Sequence, residues 1–269
     1  SLNSFTGDNL DICFEDITQG WLLNYESWLR AKGNKETTIS IQFRTLRSVY
    51  NKAIKRKCVG KEYYPFEDFH INKFNVHTDK RAISKNDVLK IISADLTGKS
   101  EYVKFSRDIF VFSYLCGGIN FCDVASLTKE NILNGRLSYV RQKTGKQINL
   151  CLTKNASAII DKYYKGGKGF LFPILDITRH ITATQKENRL HKVLGQVDKS
   201  LKIIAQIAKV DVNLTTYVAR HSYATVLKRS GVPTSIICES LGHSSERVTQ
   251  IYLDSFENEQ IDEAMKNLL

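Results

Sequence analysis

The sequence predicts a mainly α-helical protein with a small antiparallel β-sheet: a helical domain over residues 1–76, then a mixed α/β domain over residues 77–269. Apolar residues recur at helical spacing through most of the chain, whereas residues 136–152 alternate around a glycine turn, as in a β-hairpin. The helical periodicity fades between residues 63 and 81. With 269 residues, 42% of them hydrophobic, the chain can bury two cores.

The first domain opens with two predicted helices. Aromatic and aliphatic residues at helical spacing predict the first over residues 17–29, and Gly33 follows as a stop signal. The second is expected over residues 35–57, with Thr37 or Thr38 as its N-cap. Together they make the first domain helical.

Residues 63–81 are expected to form an extended connection, with the domain boundary near residues 73–80. Beyond it, Ser84 is placed as the N-cap of a further helix, and another helix is predicted over residues 101–115. From about His191 onward the apolar spacing is helical again, with breaks at two glycine-containing steps.

Composition narrows the class of protein. The chain has 39 Lys and Arg against 28 Asp and Glu, a formal charge of +11 and a pI near 9.3, which favours a polyanionic partner, although a merely solvated basic surface fits as well. No apolar run or signal peptide points to a membrane, so the cytoplasm is the expected location. The six cysteines lack zinc-site spacing, which predicts free thiols and no structural metal. Cys116, Cys151 and Cys238 are expected to be small buried residues.

The second predicted helix has one packing face and one cationic face. Its cationic side carries four candidate contacts for a phosphate backbone: Arg44, Arg47, Asn51 and Lys55. A solvated helix face is the alternative interpretation of the same pattern.

Three motifs near the C-terminus carry the strongest functional signal. An Arg220-His221 pair is followed by a Leu241-Gly242-His243 step and by Tyr252, nine residues beyond that histidine. This order resembles the catalytic region of the tyrosine recombinase (phage integrase) family. The hairpin residues 141–146 resemble the turn that carries the family's catalytic lysine, and the similarity extends over about residues 80–255. The basic N-terminal region resembles the family's core-binding domain in pattern and position.

The resemblance implies a site-specific recombinase that acts without a nucleotide cofactor. In the family, the tyrosine oxygen attacks a scissile phosphate and leaves a 3′-phosphotyrosine and a free 5′-hydroxyl; a partner strand then attacks the phosphotyrosine. Two such rounds in a synapsed tetramer exchange all strands. For this chain, the resemblance implies that Tyr252 is the nucleophile.

The residue types suit this chemistry. Arg220 can bind non-bridging phosphate oxygens bidentately, and Lys143 can protonate the leaving 5′-oxygen. His243 can bond the phosphate or assist proton movement, and Tyr252 supplies the nucleophilic oxygen. Each motif alone has an ordinary structural explanation, such as a helix cap or a hairpin turn. Together, at the family's spacing, they favour a catalytic site.

Two positions depart from the family pattern. Asn120 stands where the family has its first arginine, and an amide supplies no net charge. Tyr217 stands where a histidine is usual, and a phenol with a pKa near 10 carries protons poorly at neutral pH. Either the protein has lost catalysis and acts as a DNA-binding regulator, or another residue supplies the missing charge.

Replacement of the missing charge is the favoured hypothesis. If residues 137–143 form a strand, Arg141 lies on the same face as Lys143 and points towards the phosphate. A solvent-exposed strand residue is the alternative for Arg141, and Arg136, at the outer end of the hairpin, is a weaker candidate for the replacement.

The expected partner is double-stranded DNA, bound by a homotetramer on synapsed sites and by a free protein that can be monomeric. Accessory DNA-bending proteins, a bacterial nucleoid location and an origin in a mobile element follow from the resemblance. The acidic amphipathic stretch 254–269 docks either on a neighbouring subunit or on its own domain. A relaxing type IB topoisomerase is a less favoured alternative. The chain is either a two-domain recombinase or a fragment of a longer protein.

Overall fold

The computed structural model describes residues 1–76, 82–250 and Leu253, and the chain divides into two compact units, Ser1–Asp79 and Lys80–Leu269. In the described ranges the protein is mainly α-helical and contains one three-stranded antiparallel sheet, which confirms the predicted fold class. Tyr252 and the acidic stretch 254–269 lie outside the described residues.

The first unit is built on two long helices. Its elements are α1 (Leu2–Phe5), α2 (Gln19–Ala31) and α3 (Glu36–Lys55), with 3₁₀ turns at Phe14–Asp16, Lys61–Tyr63 and Ile71–Lys73. Thr18 caps α2 by accepting the Trp21 N–H at 3.3 Å. The predicted threonine cap of α3 is wrong, because the backbone is already helical at Glu36 and both threonines lie within the first turn.

The segment after α3 belongs to the core of the first unit. Phe66, Phe69 and Phe74 are buried, and the rings of the last two lie 4.7 and 5.5 Å from the Phe43 ring. The expected extended connection is therefore wrong for residues 63–76. These aromatic residues follow irregular turns, so their burial leaves no helical or strand period in the sequence.

The second unit contains the sheet and the remaining helices. Its elements are α4 (Lys85–Ile92), α5 (Glu101–Leu115), α6 (Phe121–Ser126), β1 (Ile132–Leu133), β2 (Arg136–Val140), β3 (Gln147–Cys151), α7 (Lys154–Tyr163), α8 (Ala183–Ile207), α9 (Thr216–Arg229), α10 (Thr234–Ser240) and α11 (Glu246–Gln250). The Ser84 cap is confirmed, since its hydroxyl accepts the Asp87 N–H at 3.1 Å. The predicted helix over residues 101–115 is confirmed as α5.

Helix α5 forms the centre of the second unit and packs against α4, α7, α8 and α9. The β2–β3 hairpin pairs Arg136 with Cys151 and Val140 with Gln147. Cys116 and Cys238 are buried as expected, but Cys151 is exposed. It shares the outward face of β3 with Gln147, because side chains two apart on a strand point the same way. Within the described ranges, no helix combines the length and apolarity needed to cross a bilayer.

Replacing Phe69 with Ala should destabilise the first unit by about 3–4 kcal/mol, because it removes a buried ring and leaves a cavity. Both tryptophans, Trp21 and Trp28, lie in this unit, so urea unfolding followed by tryptophan fluorescence reports on it. The exposed Tyr63→Ala variant is the control, with an expected change under about 0.5 kcal/mol. An equally small effect of Phe69→Ala would contradict the packing of this segment in the core.

Candidate active site

The site is organised around a buried arginine on α9. Arg220 is 2% exposed. Its Nη1 donates to the carbonyl of Gly118 at 2.8 Å, and its Nη2 donates to the carbonyl of Leu241 and lies 3.0 Å from Nε2 of His243. The guanidinium thus links the turn after α5 to the loop between α10 and α11. Arg220 and His243, paired by the sequence motif, are brought into direct contact.

Two glycines allow the backbone to come this close. Gly118 has φ +64°, and a Cβ there would lie 2.9 Å from Cα of Arg220. Gly242 has φ +61°, and a Cβ there would lie 2.7 Å from Cδ1 of Ile148 on β3. Both the positive φ and the close approach require glycine at these positions.

His243 is held as a neutral ring. It is 2% exposed, and its pKa is lowered to about 3 by burial and by the positive charges of Arg220, Arg141, Lys143 and Lys146. Its Nδ1 lies 2.9 Å from the hydroxyl of Thr249. Because a guanidinium only donates hydrogen bonds, Nε2 accepts from Arg220 and the ring proton is on Nδ1.

The hairpin turn brings Arg141 to the same loop. Strand β2 ends at Val140, so the expected strand over residues 137–143 is wrong: the carbonyl of Arg141 accepts the N–H of Gly145 at 2.8 Å and starts the turn. The Arg141 side chain is nevertheless 4% exposed, and its Nη1 donates to the carbonyl of Gly242 at 2.8 Å. Its buried Nε has no hydrogen-bond partner among the described residues.

The two lysines of the hairpin turn, Lys143 and Lys146, have different surroundings. Lys143, the predicted proton donor, is exposed in the turn, close enough to lower the pKa of His243. Lys146 donates from Nζ to the carbonyl of His243 at 2.9 Å, and Thr144 donates to the carbonyl of Gly242 at 3.1 Å. Sequence reasoning quoted both residues within the turn motif but assigned them no contact.

Asp123 on α6 is a further buried group that sequence reasoning did not select. It is 3% exposed and accepts the backbone N–H of Gln142 at 3.0 Å, which ties α6 to the hairpin. Burial raises the pKa of this carboxyl, and the charges of Arg141 and Arg220 oppose that rise. The sequence feature that could have identified Asp123 is its position three residues after Asn120.

Asn120 and Tyr217, the two residues that depart from the family pattern, line one cleft. Asn120 precedes α6, its side chain makes no capping hydrogen bond, and Tyr217 on α9 is 43% exposed. With Gln142 they line a cleft of ≈ 580 Å³. The Tyr217 ring lies edge-on to the His221 ring, with centroids 4.7 Å apart.

The candidate phosphate contacts of the first unit are exposed on α3. Arg44, Asn51 and Lys55 share one helical face, since they follow at spacings of seven and four. Arg44 donates from Nε and Nη2 to the buried Ser40 hydroxyl at 3.2 and 3.0 Å, which fixes its orientation. Arg44 and Arg47 line a groove of ≈ 430 Å³ together with His70 and Asn72.

Among the residues that the structure describes, no three His, Cys, Asp or Glu side chains are grouped so that they could hold a metal ion. The polar groups that converge on the loop at His243 are instead cationic: two buried arginines and the lysines of the hairpin turn. Such an arrangement can bind and polarise an anionic ester.

Family models match both parts of the chain. The phage integrase family matches residues 81–259, and the phage integrase SAM-like domain matches residues 1–75. Among curated proteins, tyrosine recombinase XerD of Halalkalibacterium halodurans is 24% identical over 248 residues, which is 88% of this chain and 77% of the relative.

Solved structures with the same fold include two integrases in complex with DNA. The Tn1549 transposon integrase bound to transposon right-end DNA has a TM-score of 0.69 at 16% identity, covering 99% of this chain and 90% of that one. The λ integrase dimer bound to a core site has a TM-score of 0.68 at 16% identity, covering 95% and 89%. At this identity the likeness establishes the shared fold.

The stability of the second unit should depend on pH through His243. Its folded pKa of about 3 is below the unfolded value near 6.5, so the unfolded chain takes up a proton that the folded chain refuses, and stability falls as the pH falls through that window. Between pH 7.5 and pH 5.5 the free energy of unfolding should fall by about 1.4 kcal/mol.

Urea unfolding followed by circular dichroism measures this loss. The His243→Gln variant is the control, because it lacks the titrating ring and should lose about 1.4 kcal/mol less over the same interval. Equal pH dependence in the two proteins would contradict a neutral, buried His243.

Proposed function

Because this chain belongs to the phage integrase family, we propose that it is a site-specific DNA recombinase that cleaves and rejoins strands through a 3′-phosphotyrosine on Tyr252. One observation carries the proposal. The Nη2 of Arg220 lies 3.0 Å from the Nε2 of His243. The positive charges of Arg141, Lys143 and Lys146 lower the pKa of the same imidazole. A buried cationic site of this kind suits a phosphodiester whose non-bridging oxygens gain charge during cleavage.

In the proposed reaction, the phenolic oxygen of Tyr252 forms a bond to the scissile phosphorus and the bond to the 5′-oxygen breaks. Lys143 gives a proton to the leaving 5′-oxygen, and the neutral imidazole of His243 is the candidate acceptor for the phenol proton. Arg220 binds the non-bridging oxygens. The phosphotyrosine keeps the ester energy, so a 5′-hydroxyl can reverse the step without a nucleotide.

Arg141 is the proposed replacement for the cation that Asn120 does not supply. Its burial, its contact with the carbonyl of Gly242 and its unpartnered Nε support this role, since the same loop carries His243. A guanidinium held by one end retains donors for a phosphate oxygen.

The first unit is the proposed core-binding domain. Arg44, Arg47, Asn51 and Lys55 are its proposed DNA contacts, supported by their exposure on α3 and by the match of residues 1–75 to the SAM-like domain. Double-stranded DNA is the proposed substrate, since the λ integrase of similar fold binds its core site as a dimer. A homotetramer on synapsed sites is the proposed active assembly, since a λ integrase tetramer of similar fold binds a Holliday junction. The relatives suggest a bacterial mobile element.

A non-catalytic DNA-binding regulator is the second candidate function. Asn120 and Tyr217 favour it, because both lack the charge or the proton-carrying ring of the usual residues. Its distinguishing property is tight DNA binding without a covalent adduct.

Incubation with a nicked DNA that carries the footprinted binding site should give a denaturant-resistant protein–DNA adduct, with EDTA present. The nick lets the cut strand diffuse away and so traps the intermediate. Mass spectrometry should map the adduct to Tyr252, and Tyr252→Phe should bind the DNA but form none. Binding by the unaltered protein without any adduct would favour the regulator.

Arg141→Ala should lower cleavage at saturating DNA by about 10²–10³-fold, because it removes a cation from the charged transition state, while DNA binding changes by less than about threefold. Single-turnover cleavage and filter binding measure the two effects separately.

Two arginines provide matched controls. Arg136 lies on the same hairpin, bonded to Asn149 at 2.7 Å, and Arg136→Ala should leave cleavage within about threefold. Arg44→Ala in the first unit should weaken DNA binding and reduce its salt dependence. The cleavage rate at saturating DNA should change less. Equal, modest losses of binding and cleavage in Arg141→Ala would rule out the replacement.

A further inference from the structure

The turn between β2 and β3 is attached to the rest of the second unit from two directions. In one direction, the side chains of Arg141, Thr144 and Lys146 donate to carbonyl oxygens after α10. In the other direction, Gln142 is bonded to α6. Lys143, the proposed proton donor to the leaving 5′-oxygen, lies between these attachments in the sequence.

The side-chain amide of Gln142 forms a small set of hydrogen bonds with one turn of α6. Its Nε2 donates to the hydroxyl of Ser126 at 2.7 Å and to the carbonyl of Cys122 at 3.4 Å. The Ser126 hydroxyl itself donates to the Cys122 carbonyl at 3.0 Å. A carbonyl oxygen only accepts, so the nitrogen end of the amide must face α6. The backbone N–H of Gln142 adds a further bond to α6, since it donates to Oδ1 of Asp123 at 3.0 Å.

These bonds restrict the backbone immediately before the proposed proton donor. Proton transfer requires the Nζ of Lys143 to come within hydrogen-bond reach of the leaving oxygen. A lysine side chain is a flexible four-carbon chain, so its reach is defined only if the backbone that carries it is fixed. A misplacement of about 1 Å is enough to slow such a step substantially.

We propose that Gln142 is a positioning residue whose side-chain amide holds the hairpin turn on α6, so that Lys143 can reach the leaving 5′-oxygen. This inference rests on the proposed recombinase function and deepens it, because it assigns the alignment of the proton donor to a residue that takes no part in the bond changes. Ser126 is the partner on α6 on which this alignment depends.

A substrate with sulfur in place of the 5′-bridging oxygen separates alignment of the proton donor from other effects of a substitution. With the normal substrate, the Tyr252 oxygen bonds to phosphorus, the bond from phosphorus to the 5′-oxygen breaks, and that oxygen takes a proton from Lys143. With the sulfur substrate, the phosphorus–sulfur bond breaks and the sulfur leaves with the electron pair as a thiolate. A thiolate is a stable leaving group without a proton, because a thiol has a pKa of only about 8.5 in cysteine.

Gln142→Ala should slow single-turnover adduct formation on the oxygen substrate by about tenfold, and on the sulfur substrate by less than about twofold. DNA binding should stay within about twofold. Because Gln142 is exposed, the substitution should leave the fold intact. Lys143→Ala should show the same pattern with a loss of about 10²-fold or more on the oxygen substrate. Equal losses of Gln142→Ala on both substrates, or a Lys143→Ala variant that sulfur does not restore, would overturn the proposal.

The same hairpin supplies a matched control. Gln147 also donates from Nε2 to a serine hydroxyl, that of Ser138 at 2.8 Å, and Gln147→Ala should stay within about twofold on both substrates. Ser126→Ala removes the acceptor on α6 and should slow the oxygen substrate alone. The double variant with Gln142→Ala should be no slower than Gln142→Ala by itself, because the two side chains form one bond. Losses that add in the double variant would contradict this pairing.

A second measurement needs neither DNA nor catalysis. Nitrogen-15 relaxation of the backbone amides at residues 143–145 should give order parameters of about 0.85 in the unaltered protein and about 0.6 in Gln142→Ala, with no change in Gln147→Ala. Equal order parameters in the unaltered protein and Gln142→Ala would overturn the proposal. Absence of any adduct from the unaltered protein on both substrates would instead count against the recombinase function and leave the relaxation test intact.

Discussion

The second unit depends on one constraint: it buries a guanidinium that cannot lose its charge. Arg220 is 2% exposed, and a buried cation requires hydrogen-bond partners in fixed positions. The fold supplies the carbonyls of Gly118 and Leu241 and the imidazole of His243. The turn after α5, the middle of α9 and the loop after α10 therefore have to meet, and glycines at the two tight approaches permit it.

Local signals explain what the sequence could predict. The Ser84 cap and helical apolar spacing located α4, and helical apolar spacing located α5. The motif order paired Arg220 with His243 across 23 positions. The irregular segment from Phe66 to Phe74 was misassigned as a connection, because its burial depends on rings of α3 that only the tertiary structure brings near. Tyr252, the predicted nucleophile, remains a prediction.

The hairpin illustrates a different limit. Strand parity placed Arg141 and Lys143 on one face, but β2 ends at Val140 and a turn sets both side-chain directions. Arg141 still reaches the loop at Gly242, whereas the turn leaves Lys143 exposed and puts Lys146 on the carbonyl of His243. Turn geometry of this kind is set by backbone hydrogen bonds, which alternation of polar and apolar residues does not encode.

Three consecutive carbonyl oxygens after α10, those of Leu241, Gly242 and His243, accept hydrogen bonds from α9 and from the hairpin. Every amino acid carries such an oxygen, so on the acceptor side these contacts restrict the path of the main chain rather than the identity of the side chain. Substitutions in this loop should therefore leave these hydrogen bonds in place as long as the main chain keeps its path. This is one physical route by which the path of a loop can persist among chains that share a fold at 16% identity.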